Sequence, residues 1–219
     1  MGMRDAFHDE LDAIGLSLIK MAELVQGAMD NATKALLTPN LELAEQVIDA
    51  DDAIDFMQHD LDARTIDLMA RQQPVASDLR TLVTSLRMSA DLERMGDMAH
   101  HIAKQARIRY PKRSVPDELV KTIEEMGVVA NKIIGKLAKV MESRDLDRAV
   151  EIATDDDEMD KLHRDLIAVI LDENWKHGAE VAIDMTLLGR YYERCCDHAV
   201  SISRRVYFLV TGEYRSEKA

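Results

Sequence analysis

The sequence has few of the residues that make turns, β-sheets and membrane spans. Its 219 residues include only 9 glycines and 4 prolines, and aromatic residues make up 4%. This scarcity argues against a β-sandwich or β-barrel, whose many turns need glycine and proline, and it predicts long helices. The apolar runs are far shorter than the roughly 20 residues of a membrane-spanning helix, and the N-terminus does not resemble a secretory signal.

Cysteine is also scarce, and the two cysteines are neighbours, Cys195 and Cys196. A disulfide between adjacent residues would be strained and would close no useful loop. We therefore expect two reduced, partly buried thiols in a cytoplasmic protein. Glycine-rich phosphate loops and Gly-x-Ser-x-Gly elbows are missing as well, so the sequence predicts no enzyme.

Acidic residues, by contrast, are abundant. The chain has 41 Asp and Glu against 28 Lys and Arg, which gives a formal net charge of −13. A field of this sign repels a phosphate backbone and argues against nucleic-acid binding. Carboxylates also bind cations, so the remaining question is whether these acids are scattered or grouped.

Apolar residues recur in alternating steps of four and three, which is typical of amphipathic helices. The pattern begins at Asp5 and predicts six long helices. We expect Asn40 to cap the second helix and Ser77 the third, and Pro116-Asp117-Glu118 to form the first turn of the fourth. The predicted breaks lie at residues 39–40, 72–77, 111–116, 143–145 and 174–178.

Short connections make successive helices antiparallel. The predicted fold is therefore all-α, with two tandem antiparallel three-helix bundles. The first bundle is expected to span residues 1–110 and the second residues 117–219, joined by a proline-containing linker at 111–116.

The two halves share an internal repeat. In the third helix, residues 93–99 read Glu-Arg-Met-Gly-Asp-Met-Ala, and in the sixth, residues 193–199 read Glu-Arg-Cys-Cys-Asp-His-Ala. The acidic run at 51–55 in the second helix recurs at 156–160 in the fifth. A tandem repeat of one three-helix unit explains both matches.

The repeat contains pairs of carboxylates four residues apart, which lie on one face of a helix. In an acid-rich chain, any single pair of this kind is more often a solvated helix face. The recurrence of two pairs in both halves favours metal binding, because a cation offsets the repulsion between grouped carboxylates. The candidate metal ligands are Asp51, Asp55, Glu93, Asp97, Asp156, Asp160, Glu193 and Asp197.

Oxygen ligands without a set of thiolates favour iron(III), manganese or magnesium over a structural zinc site, although spacing alone does not separate iron from zinc. His100 and His163 each follow an acidic residue by three positions, as in di-iron bundles. The position matching His100 in the second half is Val200. This asymmetry favours surface histidines over ligands.

Two motifs in order resemble the PhoU family of bacterial phosphate-transport regulators. They are Arg-Gln-Gln-Pro-Val-Ala-Ser-Asp-Leu-Arg at 71–80 and Leu-Glu-Arg-Met-Gly-Asp at 92–97. The turn at 175–178 and the segment 187–194 are similar to the actinobacterial branch. The second half departs from the pattern, because residues 172–178 replace the Gln-Pro-Ala-Ser type of loop.

The resemblance implies a function as well as a fold. PhoU proteins are cytoplasmic, often homodimeric negative regulators of phosphate uptake and of the phosphate-starvation response. They are thought to connect the ATPase of the phosphate ABC transporter to a sensor histidine kinase, and so to repress transcription indirectly. Some bind iron or other metals through Glu/Asp-x-x-x-Asp motifs, which match Glu93/Asp97 and Glu193/Asp197 residue for residue. The other two pairs, Asp51/Asp55 and Asp156/Asp160, are expected on the facing helices. A di-iron-type metalloenzyme and a metal-free helical scaffold are the alternatives.

Overall fold

The computed structural model describes residues 3–213, with side chains from residue 6 onward. Residues 1–2 and 214–219, the outer ends of the two predicted bundles, lie outside this range. The described chain contains helices and no strand, which confirms the predicted all-α class. The elements are α1 (Met3–Leu37), α2 (Leu41–Gln72), α3 (Ala76–Arg109), a 3₁₀ turn (Asp117–Leu119), α4 (Val120–Ser143), α5 (Leu146–Ile170) and α6 (Gly178–Thr211).

The helix boundaries follow capping chemistry at some ends only. Asn40 caps α2 as predicted, because its side chain accepts a hydrogen bond from the backbone N–H of Leu43 at 3.0 Å. The prediction for Ser77 was wrong. Val75, in extended conformation, occupies the cap position of α3 without a side-chain hydrogen bond, and Ser77 already lies within the first turn.

The first turn of the fourth helical segment also differs from the prediction. Residues Asp117–Leu119 form a tight 3₁₀ turn after Pro116, and α4 proper begins only at Val120. At the start of the next helix, the Asp145 side chain caps α5. It accepts hydrogen bonds from the backbone N–H groups of Asp147 and Arg148. A side-chain acceptor satisfies helix N-terminal donors that would otherwise lack partners.

In each half, the three helices pack against one another. The main contacts between the halves are those of α1 with α4 and of α3 with α6. α3 and α6 run antiparallel, because Arg109 at the end of α3 pairs with Asp184 near the start of α6, whereas Arg80 near the start of α3 lies over Phe208 near the end of α6.

One hydrophobic core runs through both halves. Met21 and Val25 of α1 and Ile133 of α4 are fully buried in the same cluster. Tyr192 of α6 is also fully buried, and its hydroxyl shares a 2.8 Å hydrogen bond with Thr33 of α1. Within the halves, α2 packs on α1 and α3, and α5 packs on α4 and α6. Each of these two helices carries one of the predicted acidic pairs.

None of the helices in residues 3–213 combines the length and the apolar character needed to cross a membrane.

Candidate metal centres

The first acidic cluster, defined as Asp51 and Asp55 on α2 with Glu93 and Asp97 on α3, forms where these two helices pack together. Burial, followed by the charges of Asp51 and Asp97, raises the pKa of Asp55. Burial and the charges of Asp97 and Asp55 likewise raise the pKa of Glu93. The carboxylates are therefore close enough to disfavour one another's ionisation.

His100 contributes an imidazole to this cluster. The interpretation of His100 as a surface residue was wrong, since its side chain is only 19% exposed and its Nδ1 contacts the Asp51 carboxylate. Its α3 position, three residues after Asp97, points the ring at α2. Beside it, His101 stacks on Tyr191 of α6 with ring centroids 5.1 Å apart, and burial is the main reason that the pKa of His101 is lowered.

The second acidic cluster, defined as Asp156 and Asp160 on α5 with Glu193 and Asp197 on α6, repeats this arrangement. Burial raises the pKa of Asp156 to about 7, with further contributions from the charges of Asp197 and Asp160. Burial and the charge of Asp197 also raise the pKa of Glu193. Each cluster thus concentrates negative charge at a helix–helix contact.

Two basic side chains, Arg190 and His163, stand beside the second cluster. Arg190, one turn before Glu193 on α6, forms an ion pair with both of its carboxylate oxygens. The ring of His163 on α5 packs against α6 at Gly189, where an added Cβ would lie 3.0 Å from the imidazole Cδ2. His163 is half-buried, and its electrostatic effect lowers the pKa of Glu193. The interpretation of His163 as a surface residue was therefore wrong as well.

The two clusters differ at the matched positions 96 and 196. In the first half this position is Gly96, where an added Cβ would lie 3.4 Å from Asp51 Oδ1. In the second half it is Cys196, whose side chain is fully buried. Burial, then the charges of Cys195, Asp156 and other nearby acids, raises the pKa of the Cys196 thiol. Both cysteines are free, as expected, but both are fully rather than partly buried.

Sequence reasoning passed over Cys196, although the repeat contained the signal. Aligning the halves places Cys196 between the two acids of its own pair and opposite a glycine in the other half.

Asp91 was also missed by the sequence analysis. It is buried in α3 and accepts hydrogen bonds from His198 and Arg205 of α6 at 3.0 and 3.1 Å, and it has no acidic counterpart in the second half, where Tyr191 stands.

The chemistry of the donors suits a cation. Each cluster holds one buried polar atom without a hydrogen-bond partner among the described residues, His100 Nε2 in the first and Asp156 Oδ1 in the second. Within residues 6–213, however, no three Asp, Glu, His or Cys side chains are grouped closely enough to hold a metal ion as they stand. Asp51 is paired with His100, and Glu193 with Arg190. Metal binding at these eight carboxylates therefore stays a prediction.

Together, the fold and these clusters define a class of protein: an all-helical tandem of three-helix units, each with carboxylate pairs on two facing helices. The PhoU domain family model matches residues 18–106 and 123–206, one stretch in each half. The chain belongs to the PhoU family.

Curated relatives cover almost the whole chain. The phosphate-specific transport system accessory protein PhoU homolog 2 of Mycobacterium tuberculosis is 43% identical over 212 residues, covering 97% of this chain and 100% of that protein. PhoU homolog 1 of Mycobacterium leprae is also 43% identical, over 97% of this chain and 96% of its own length.

Solved structures show the same fold. The crystal structure of the phosphate transport system regulatory protein PhoU from Streptococcus pneumoniae has a TM-score of 0.86 at 25% identity and covers 96% of this chain and 100% of its own. PhoU from Pseudomonas aeruginosa has a TM-score of 0.83 at 27% identity, over 94% of this chain and 100% of its own.

Proposed function

We propose that this protein is a negative regulator of phosphate uptake and of the phosphate-starvation response. In this proposal it acts in the cytoplasm, as a homodimer, as an adaptor between the ATPase of the phosphate ABC transporter and a sensor histidine kinase. It regulates through its contacts and catalyses no reaction. The observation that carries the proposal is the likeness to mycobacterial proteins named as accessory to phosphate-specific transport, which extends over 97% of this chain.

A genetic experiment tests the regulatory part. Deletion of the gene is expected to derepress phosphate-uptake genes in phosphate-rich medium, and a plasmid copy of the wild-type gene should restore repression. Co-purification of the tagged protein with the transporter ATPase and with the kinase should follow the same pattern. Unchanged expression of the uptake genes after deletion would contradict the proposal.

We further propose that metal ions bind at both acidic clusters, with iron favoured over zinc, manganese and magnesium. Support comes from the raised pKa of Asp55, Glu93, Asp156 and Glu193, which burial and then the charges of neighbouring carboxylates cause. A bound cation would supply the positive charge that these carboxylates lack. In the first cluster, His100 Nε2 is available to a cation while Nδ1 faces Asp51, the usual arrangement of a ligating histidine held by a carboxylate.

Metal analysis tests this second part. Protein purified without chelator or immobilised metal is expected to contain iron, and metal should be lost when Glu93 and Asp97, or Glu193 and Asp197, become alanine. Glu45 and Asp49 provide a matched control, because they have the same spacing on α2 and are exposed. If the cluster variants retain as much metal as the control, these carboxylates do not hold the metal, and if the wild type contains none, the metal-free scaffold is correct.

The same preparation separates the proposal from a di-iron oxidase. Such an enzyme needs an open coordination position where oxygen reacts. Adding oxygen or peroxide to the ferrous protein is expected to produce no catalytic turnover of reductant. Sustained turnover that disappears in the cluster variants would overturn the proposal of a regulator without catalysis.

A further inference from the structure

We propose that a groove along the first turns of α3 is a docking surface for an acidic, amphipathic helix of a partner protein. The groove has a volume of about 500 Å³ and is bordered by α6 on one side. The inference rests on the adaptor role proposed above, and it adds the surface and the chemistry of the partner segment. The residues that define this arginine groove are Leu79, Arg80, Val83, Thr84 and Arg87 of α3 and Phe208 of α6.

The arginine groove has a charge opposite to that of the whole chain. The described residues that line it include two arginines and no acid, in a protein with a formal net charge of −13. The Arg80 guanidinium lies over the Phe208 ring, 5.5 Å from its centroid, and this cation–π contact holds it at the groove. Arg87 is exposed, and neither arginine forms an ion pair with another described residue. Guanidinium groups bind carboxylates through paired hydrogen bonds, so the groove is complementary to an acidic segment.

The other end of the α3–α6 contact shows the charge pairing that this end lacks. There, Glu180 and Asp184 of α6 bind the Arg109 guanidinium of α3 at 2.7 Å and 2.9 Å. The offset of 100 residues between the two helices matches Glu180 with Arg80, and Arg109 with Leu209. At the groove, α3 therefore carries an arginine where its repeat carries an acid, and α6 carries a leucine where α3 carries the paired arginine. An acidic helix from another protein can supply the carboxylates that α6 does not.

The apolar residues and the length of the groove fit a helix. Leu79 and Val83 are 41% and 38% exposed, and they lie one turn apart beside the arginines. Arg80 and Arg87 are two turns apart, which separates them by about 10 Å along α3. A helix packed on this face can present carboxylates to both arginines and apolar side chains to Leu79 and Val83. A single small anion is shorter than this distance, so the groove favours a helical segment over free phosphate.

The groove also gives a role to the motif at residues 71–80, which the regulatory proposal leaves without one. Leu79 and Arg80 are the last two residues of that motif, and both line the groove. The second half has a different loop at 172–178, and the helix face that follows it carries the acids that pair with Arg109. One end of the α3–α6 contact therefore has an open basic surface, whereas the other is neutralised by ion pairs within the chain.

Binding measurements on the full-length protein test the inference. The intact phosphate transporter and the intact sensor kinase are reconstituted in separate nanodiscs, and the affinity for each is measured by biolayer interferometry. For the partner that occupies the groove, Arg87→Glu and Val83→Asp should each weaken binding about tenfold or more. Lys121→Glu and Val128→Asp are matched controls that should bind as the wild type does, because both residues are exposed on α4 and outside the groove. Circular dichroism confirms that all four variants fold.

Photo-cross-linking identifies the partner segment. With p-benzoylphenylalanine in place of Val83, the protein should cross-link to a helical segment of that partner, which mass spectrometry locates. The carboxylates of this segment should recur on one helical face, and changing them to lysine should restore binding to Arg87→Glu. The same photoreactive residue in place of Val128 is the control and should give no such cross-link.

Several results would overturn the inference. If the transporter or the kinase binds the wild type and both groove variants equally, the adaptor role stands and the groove is not the docking surface. Binding of the wild type to empty phosphatidylglycerol nanodiscs that is lost in Arg87→Glu would show a membrane-binding face instead. A cross-link from position 83 to a second copy of this chain, or to a segment without grouped acids, would show a different occupant. If neither partner binds the wild type, the proposed adaptor role itself fails, and the inference fails with it.

Discussion

At the scale of single residues, the helical glycines have different roles that their sequence neighbours do not reveal. Gly127 is buried where α4 packs on α1, and an added Cβ would lie 2.4 Å from Thr33 Cγ2. Thr33 cannot easily move, because its hydroxyl bonds Met29 O and Tyr192 Oη at 2.8 Å each. Gly27 has nothing within 4 Å of such a Cβ.

These two glycines give opposite predictions for substitution by alanine. Gly127→Ala should lower the free energy of unfolding by about 1–3 kcal/mol, because the new methyl group overpacks a rigid contact. Gly27→Ala should raise it by about 0.5–1 kcal/mol, since alanine has the higher helix propensity. Urea denaturation measures both. Similar effects of the two substitutions would contradict the close α1–α4 contact.

Asp156 makes the metal-free protein sensitive to pH. An unfolded aspartate has a pKa of about 3.9, whereas the pKa of Asp156 in the fold is about 7 because of burial and neighbouring acids. Between these values the folded state holds a proton that the unfolded state has released. The free energy of unfolding should therefore decrease as the pH rises from about 4 to about 7.

Asp156→Asn removes this penalty. In chelator-treated protein at pH 8, the variant should be more stable than wild type by about 1–2 kcal/mol after solvent screening of a partly exposed carboxyl, and equally stable near pH 4. Asp165→Asn, an exposed position on α5, is the control and should have little effect. Thermal unfolding between pH 4 and pH 8 checks the prediction. It is contradicted if the stability of the wild type relative to Asp156→Asn increases as the pH rises.

At the scale of helices, the contact between α3 and α6 includes a buried charge cluster. Asp91 of α3 is 8% exposed and accepts from His198 at 3.0 Å and from Arg205 at 3.1 Å. Burial alone would raise the pKa of Asp91, but the hydrogen bonds from His198 and Arg205 together lower it. The contact therefore stabilises the fold above pH 4 and weakens as the pH falls through the lowered pKa.

Asp91→Asn should destabilise the protein by about 2–3 kcal/mol at pH 7, because it leaves Arg205 without its charged partner in the α3–α6 contact. An exposed ion pair gives the comparison. Lys20 and Glu23 lie 3.2 Å apart with side chains 60% and 54% exposed, so Lys20→Ala should change stability by less than about 0.5 kcal/mol. Chemical denaturation at pH 7 measures both, and equal losses would show that the Asp91 cluster contributes no more than a surface pair.

At the scale of the whole molecule, the two repeats are expected to unfold together. They share one hydrophobic cluster and are joined by both the α1–α4 and the α3–α6 contacts. Neither three-helix unit buries all of its apolar surface without the other. Differential scanning calorimetry of the full chain should give one transition with a ratio of calorimetric to van't Hoff enthalpy of about 1. Two resolved transitions would indicate independent bundles.

Much of the fold could be predicted because helical periodicity is a local property. Apolar steps of three and four residues indicated all six helices, and the predicted breaks at residues 39–40 and 72–77 lie within a residue of the observed ends of α2. The local rule failed at Ser77. The chain after Pro74 keeps Val75 extended and then enters the helix at Ala76, so the serine is two residues too late to cap it.

The sequence by itself determined the helices, the repeat and the four carboxylate pairs, since each depends on spacing along one chain. Only the tertiary structure decided which side chains share those sites, because this depends on the register between packed helices. The register of α2 on α3 brings Asp51 to His100, and the α3–α6 contact buries Asp91. The same spacing therefore produces two unlike clusters, because the residues packed beside each pair differ.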